Sequence, residues 1–347
     1  MDNQVKNIII VLFIFVVLYL LQSLESIILP LFLAFFTASL FNPIIQLFKK
    51  IKIPNFITIT FIVIFSTAII FGIFLIVQDT FYEISAESDY ISEQLTEKTN
   101  AAFSWINQNF GAKLSFKRVY KQMIAQMDTE WVSSRASSAL SILSSFTGAA
   151  TMYFLYFIVI LSGMANYKRF LSYVDNFNPD GKVIYFYERI QKALSSYIIV
   201  KSLINLLMAG ITYGLCLIFG VKFALFWGFI TFILSFIPTI GAIISTAFPV
   251  LMALIQYDTF QPALIFLAIL VGAHFIIGNV LEPIVMGSSM RINTLTVIFG
   301  LVLWGHIWGI SGMMLSVPLL VVFKIVFEQF PELKIYSRIM GTPEKTK

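Results

Sequence analysis

Long runs without a single Asp, Glu, Lys or Arg constrain this chain more than any other feature. Ile8–Leu21, Ile27–Ile45, Phe56–Val77 and Phe146–Met164 are free of these residues, and so are Leu203–Val221, Phe223–Tyr257, Thr259–Leu281 and Ile292–Phe323. A bilayer core of about 30 Å takes roughly 20 apolar residues as helix. Most of the blocks reach that length, and Ile8–Leu21 reaches it through weakly polar flanks. Charged residues make up 12% of the 347, against 59% hydrophobic. A soluble domain carries about 25% charge to solvate its surface. The expected fold is therefore all-α: a polytopic transmembrane bundle of about eight hydrophobic segments with a small extracytoplasmic helical segment.

The first block is not a cleaved leader on this reading, because Gln22-Ser23-Leu24-Glu25 offers no small-residue cleavage site. Cys216 is the single cysteine and lies in an apolar block, so disulfides play no part. The net charge of +5 does not point to nucleic acid, because the bases flank membrane segments. Lys49, Lys50 and Lys52 follow the second block. Lys168, Arg169, Lys182, Arg189, Lys192 and Lys201 follow the fourth, and Lys324, Lys334, Arg338, Lys345 and Lys347 close the chain. Short basic loops stay in the cytoplasm. Both termini are then expected inside a cell-membrane protein, with 79–135 outside.

The expected organisation is an N-terminal group of spans over 1–78, an extracytoplasmic segment over 79–145, a transmembrane transport core over 146–331 and a tail over 332–347. In the outer segment Phe81, Ile84, Ile91, Leu95, Phe103, Ile106 and Phe110 recur at helical spacing. Phe116, Val119, Met123, Met127 and Trp131 do so after Gly111. Two amphipathic helices are expected, packed on each other or the membrane, or joining subunits of a homo-oligomer. On the basic side, Val183, Tyr187, Ile190, Leu194 and Tyr197 form a stripe beside Lys182, Arg189 and Lys192. That pattern suits an interfacial helix on anionic lipid.

Two blocks are too long for one straight crossing. Phe223–Tyr257, about 35 residues, would run roughly 52 Å as helix. It is interrupted by Ile237-Pro238-Thr239-Ile240-Gly241, and Ile292–Phe323 by Trp304–Gly312 and then Pro318. Proline removes a backbone donor, and glycine costs a helix about 1 kcal/mol. Each block is either a kinked, tilted span or a broken, re-entrant pair. Paired Gly/Pro-interrupted segments mark the substrate path of transporters, here Pro238, Gly241, Gly309, Gly312 and Pro318.

Three motifs resemble the autoinducer-2 exporter family of PerM-like permeases: Ile237–Ile244 with its Ile-Pro-x-x-Gly start, Asn279-Val280-Leu281-Glu282-Pro283, and Trp308–Pro318 with its Gly-x-x-Gly-x-x-Leu-x-x-Pro ending. Thr239 and Ala242 stand where many members have an aromatic residue and a second proline, and Asn293-Thr294 where many have a proline. The resemblance implies export of a small solute such as the quorum-sensing signal, or sodium–proton exchange.

Ionisable residues at membrane depth are functional candidates by default. Glu282 is the first, as a proton or cation site with Asn279 beside it; the alternative is an interfacial carboxylate near Arg291. His274 lies two turns before it, and His306 sits between two glycines of a broken segment. Lys201 is expected to snorkel to the inner interface. No metal-ligand cluster, cofactor motif, phosphate-binding Gly-rich lysine loop or nucleophile–base pair stands out. The expected function is a non-enzymatic secondary transporter of a small solute or ion. The alternatives are a cation/proton antiporter and a scaffold or sensor using the outer helices.

Overall fold

The computed structural model describes residues 3–110, 148–167, 171–172, 183–286 and 292–341. Within them the fold is helical: α1 (Asn3–Ser23), α2 (Glu25–Lys50), α3 (Asn55–Ala86), α4 (Ser88–Phe110), α5 (Gly148–Tyr167) and α6 (Val183–Ile218). There follow α7 (Ala224–Leu234), α8 (Ile240–Gln256), α9 (Phe260–Ile276), α10 (Glu282–Met286), α11 (Thr294–Gln329) and α12 (Lys334–Met340). Six helices have the length and apolarity to cross a bilayer, counting α11 as one. The expected all-α bundle is the observed one.

Both overlong blocks fold back as antiparallel hairpins. In the first, hairpin A, α7 and α8 meet at a tip spanning 235–239 and share a base. The Gln256 side chain accepts from the Lys222 amide at 3.0 Å and donates to the Gly220 carbonyl at 2.6 Å. Tyr257 donates to the Phe219 carbonyl, and Trp227 stacks on Phe248 higher in the hairpin. In hairpin B, α11 breaks at Trp308 (φ −129°, ψ 21°) and Gly309 (φ 57°, ψ −140°). A Cβ on Gly300 would meet the Leu320 side chain and one on Gly305 that of Met313, so the arms run side by side. At its base the Asn293 amide donates to the Met340 carbonyl at 2.9 Å, just beyond the second arm.

The open alternative of kinked single spans is thus resolved in favour of hairpins. Hydrocarbon supplies no partners for freed backbone groups, so a break has to be buried in protein or face a cavity. Two glycines make the tips possible. A Cβ on Gly241 would lie 1.8 Å from the Leu234 carbonyl oxygen, and one on Gly312 would lie 1.9 Å from that of Trp304. Each glycine begins the returning arm where it crosses the end of the outgoing one.

The two hairpins enter from opposite ends of the bundle. The base of A is tied to Glu87, between α3 and α4, by Lys222 at 2.6 Å and to α4 by Lys98 donating to the Tyr257 carbonyl at 2.6 Å. The base of B lies at the opposite, basic end, where Arg189 pairs with Glu328. The tip of B reaches toward the far end of α1, where the Trp308 indole donates to the Leu21 carbonyl at 3.0 Å. Span α6 with hairpin A, then span α9 with hairpin B, therefore forms an inverted pair, the arrangement of many secondary transporters.

Cluster packing holds this frame. Phe41, Ile45, Ile62, Phe157 and Leu161 join α2, α3 and α5. Phe36, Leu194, Tyr197, Trp304, Trp308 and Leu319 join α2, α6 and hairpin B. Cys216, Val250, Ala253, Phe266 and Leu270 join α6, α8 and α9. The expected interfacial helix is corrected by the second cluster: the stripe from Val183 forms the first turns of α6 itself. Leu194 and Tyr197 are buried against protein, and Ser195 donates to the Ser39 carbonyl at 2.8 Å. Amphipathicity alone does not distinguish lipid from a neighbouring helix as the apolar partner. Of the two outer helices, α4 is present and packs on α8. The second, Phe116–Trp131, lies outside the described residues, as do Gly111, Gly287–Ser289 and Arg291.

Two outcomes test the hairpins. Gly241→Ala and Gly312→Ala should each lower the thermal unfolding midpoint of detergent-purified protein by several degrees, while Gly210→Ala, with open space around it, should not. A cysteine at Ser288 should react with an impermeant maleimide only after cells are permeabilised; labelling of intact cells would restore the kinked-span topology.

Candidate functional site

The tip of hairpin A closes one side of a cavity of about 620 Å³ whose other walls come from α6, α9 and α10. Polar chemistry concentrates there. Lys201, midway along the 36-residue α6, reaches Glu282 at 2.6 Å, with side-chain exposures of 6% and 22%. Lys201 therefore does not snorkel to the interface, and that expectation is corrected. Its ammonium has a carboxylate within reach across the bundle, which outweighs the stretch to water. A charge this deep persists only when paired.

Glu282 owes its position to the backbone before it. Ile277–Leu281 forms a π turn between α9 and α10, and such turns recur at functional sites. A π turn takes about one residue more than an α turn. The eight residues from His274 to Glu282 thus come close to two whole turns, and both line the cavity. Asn279 lines it too, while its amide donates to the Phe275 carbonyl at 3.2 Å.

His274 is buried and bridges three helices, with Thr212 of α6 3.1 Å from Nε2 and Thr246 of α8 3.0 Å from Nδ1. The Thr246 hydroxyl gives its own proton to the Ala242 carbonyl at 2.7 Å. Its oxygen must then accept from Nδ1–H, while Nε2 faces the Thr212 hydroxyl. This network ties the returning arm of hairpin A to both neighbouring spans.

The tip itself is strained. Thr239 sits at φ 63°, ψ −57°, and the Ile240 amide donates to the Pro238 carbonyl at 2.6 Å. This is a γ-turn of the rare hand, centred on a β-branched residue. Such strain costs about 1–3 kcal/mol and collects at functional sites. Pro238 and Thr239 both face the cavity.

Beside the ion pair lie three buried oxygens without partners: Asn205 Oδ1, Thr231 Oγ1 and Ser235 Oγ. Hydroxyls elsewhere in these helices bond back one turn, as Ser39, Ser66 and Thr80 do. Thr231 and Ser235 do not. Their helix face packs on α6, where a Cβ on Gly228 would meet Tyr213 and the Ala209 carbonyl. Asn205 donates to the Phe232 carbonyl at 3.2 Å, so the antiparallel register sets it between the two hydroxyls. Lys201 and Ser235, one step along, both line the cavity.

The structure thus gathers Glu282, Asn279, His274 and Pro238 at one cavity. Gly241 is buried behind it, where it packs the tip. His306, Gly309, Gly312 and Pro318 belong to hairpin B and are not among the lining residues; His306 is exposed on the first arm.

A membrane protein built on an inverted pair of spans and hairpins, with a charged pair in a cavity at one tip, has the architecture of a secondary transporter. The sequence profile of the AI-2E family transporters matches residues 8–332, and the chain belongs to that family of membrane transporters. It is 28% identical over 318 residues to the putative transport protein YhhT of Escherichia coli K12, covering 90% of this chain and 87% of the relative. It is 24% identical over 336 residues to the AI-2 transport protein TqsA of the same strain, covering 94% and 93%. A putative transport protein of Haemophilus influenzae is 24% identical over 328 residues, covering 93% and 92%.

Removing one partner of a buried ion pair costs about 3–5 kcal/mol, whereas replacing both with apolar residues is often neutral. Lys201→Met alone should therefore lower the unfolding midpoint markedly. Lys201→Met with Glu282→Leu should recover most of the loss in the same thermal scan.

Proposed function

We propose that this chain carries a small polar solute across the membrane through the cavity at the tip of hairpin A, driven by an ion gradient. The Lys201–Glu282 pair is the observation that carries the reading. An ion pair at depth can exchange partners: a proton on Glu282, or a cation beside it, releases Lys201 and alters the charge that the cavity presents. Asn279, three residues before Glu282, adds an amide to the same wall. The name of one relative, AI-2 transport protein, supports a small polar organic cargo of the autoinducer-2 kind. The Lys49, Lys50 and Arg189 end is assigned to the cytoplasm, with both chain termini, on the distribution of bases.

Cation/proton antiport is the second reading. Asn205, Thr231 and Ser235 favour it because three neutral hard oxygens, beyond hydrogen-bond reach of one another, suit an alkali cation better than a transition metal. The scaffold reading is less well supported, since α4 packs on α8 and is spent on holding the base of hairpin A.

Purified protein in liposomes tests both readings, with autoinducer-2 uptake and pyranine-reported proton movement measured under sodium and pH gradients. Glu282→Gln should cut the ion dependence of flux at least tenfold, read per assembled protein, because the Lys201 left unpaired should also lower the unfolding midpoint as Lys201→Met does. Asn205→Ala with Thr231→Val should weaken sodium dependence specifically. Undiminished ion dependence in Glu282→Gln would remove the coupling role.

A further inference from the structure

A second cavity, of about 280 Å³, lies at the other end of the bundle, between the first turns of α6 and the second arm of hairpin B. Its lining divides by chemistry. Arg189, Lys192 and Lys324 supply three positive charges and Ser196 a hydroxyl, while Ala193, Ile292, Val321 and Ile325 supply apolar surface. Glu328 is the carboxylate among the lining residues. Its oxygens are engaged, one by Arg189 and the other by Ser337 at 3.2 Å. Three of the lining side chains are basic and one is acidic.

Its level in the bundle can be read from contacts. The Tyr167 hydroxyl, at the end of α5, donates to Glu188 at 2.8 Å, and the Lys49 ammonium, at the end of α2, stands 5.9 Å over the same ring. Arg189 follows Glu188 and reaches Glu328, one residue from the end of α11. Three helices therefore end, and the apolar stretch of α6 begins, within about a turn of one plane. Such a plane is the boundary between headgroups and hydrocarbon. The cavity lies at that level, with its basic and apolar residues interleaved along α6 and the second arm of hairpin B.

We propose that this cavity binds the headgroup of an anionic phospholipid, its phosphate held by Arg189, Lys192 and Lys324 and the start of its acyl region laid on Ile292, Val321 and Ile325. Basic pockets between membrane helices recognise acidic headgroups in this way. The guanidinium offers a fork of donors to phosphate oxygens, and the lysines add charge without fixed geometry. The site bridges α6 to the base of hairpin B, so an occupying lipid fastens the second hairpin to the span that carries Lys201. It is independent of the solute cavity, which has no lining residue in common with it.

Full-length protein in neutral detergent provides the test, with retention of phosphatidylglycerol and phosphatidylcholine measured by native mass spectrometry and thermal unfolding followed in parallel. Phosphatidylglycerol should be retained at least tenfold better than phosphatidylcholine and should raise the unfolding midpoint. Lys192→Gln with Lys324→Gln should remove both effects, the second read as the difference between the lipid-loaded and lipid-free midpoints of that same variant. A control pair, Lys49→Gln with Lys50→Gln, should keep them. Equal retention of the two lipids, or full retention of phosphatidylglycerol by Lys192→Gln with Lys324→Gln, would overturn the proposal. So would inorganic phosphate or glycerol phosphate giving the same stabilisation as the lipid, since the site would then take a free anion.

Discussion

Everything in this fold depends on the need to give every backbone N–H and C=O a partner where water is absent. Continuous helices meet it automatically. The Pro238 and Gly309 breaks do not, and the structure meets the need there by doubling each broken helix back on itself. Gly241 and Gly312 let the returning arm pass within contact of a carbonyl, and side chains such as Gln256 and Asn293 close the open bases. Within these two blocks the break in the helix is thereby confined to the tips. Such a tip combines unusual dihedrals with protein and cavity surroundings, and Thr239 shows how far the backbone can be pushed there.

The same constraint explains the polar chemistry. Lys201 and Glu282 are separated by 81 positions and meet because α6 and α9 run antiparallel beside hairpin A. Neither residue is tolerable alone at that depth. Together they form a pair whose stability depends on the charge of its surroundings. His274, held between Thr212 and Thr246, has a different character: both ring nitrogens are occupied, and the imidazole works as a brace between three helices.

Much of this was legible in the sequence, and the limits are instructive. Charge-free blocks identified the spans, and excess length with Pro and Gly marked the two broken blocks, although length alone does not separate a kinked span from a hairpin. Glu282, Asn279 and His274 stood out as polar residues in apolar surroundings. Lys201 was misjudged because a single helix shows only the route to water and not a carboxylate on a distant span. Thr212 and Thr246 gave no signal, since threonine is common in membrane helices. Thr231 and Ser235 became conspicuous only when their hydroxyls failed to bond back along the helix. The stripe from Val183 was misread because lipid and protein bury the same apolar face.

The two hairpins match in plan and differ in chemistry, and the difference bears on which of them carries the work. The tip of hairpin B is apolar and pinned: Trp304 and Trp308 are buried with their rings in contact, and Trp308 is bonded to α1. The tip of hairpin A has Thr239 and Ile240 exposed, with Ser235 unpartnered. Its strain would be relieved by any motion that opens the γ-turn. A carrier must combine a fixed element with one that rearranges, since a uniformly rigid pair would hold its cargo and a uniformly loose one would leak. On packing alone, hairpin B is the fixed element and hairpin A the one free to respond to charge in the cavity. The pseudo-symmetric plan then brings the two tips in from opposite sides, and the asymmetry of their packing leaves the tip of A the more exposed.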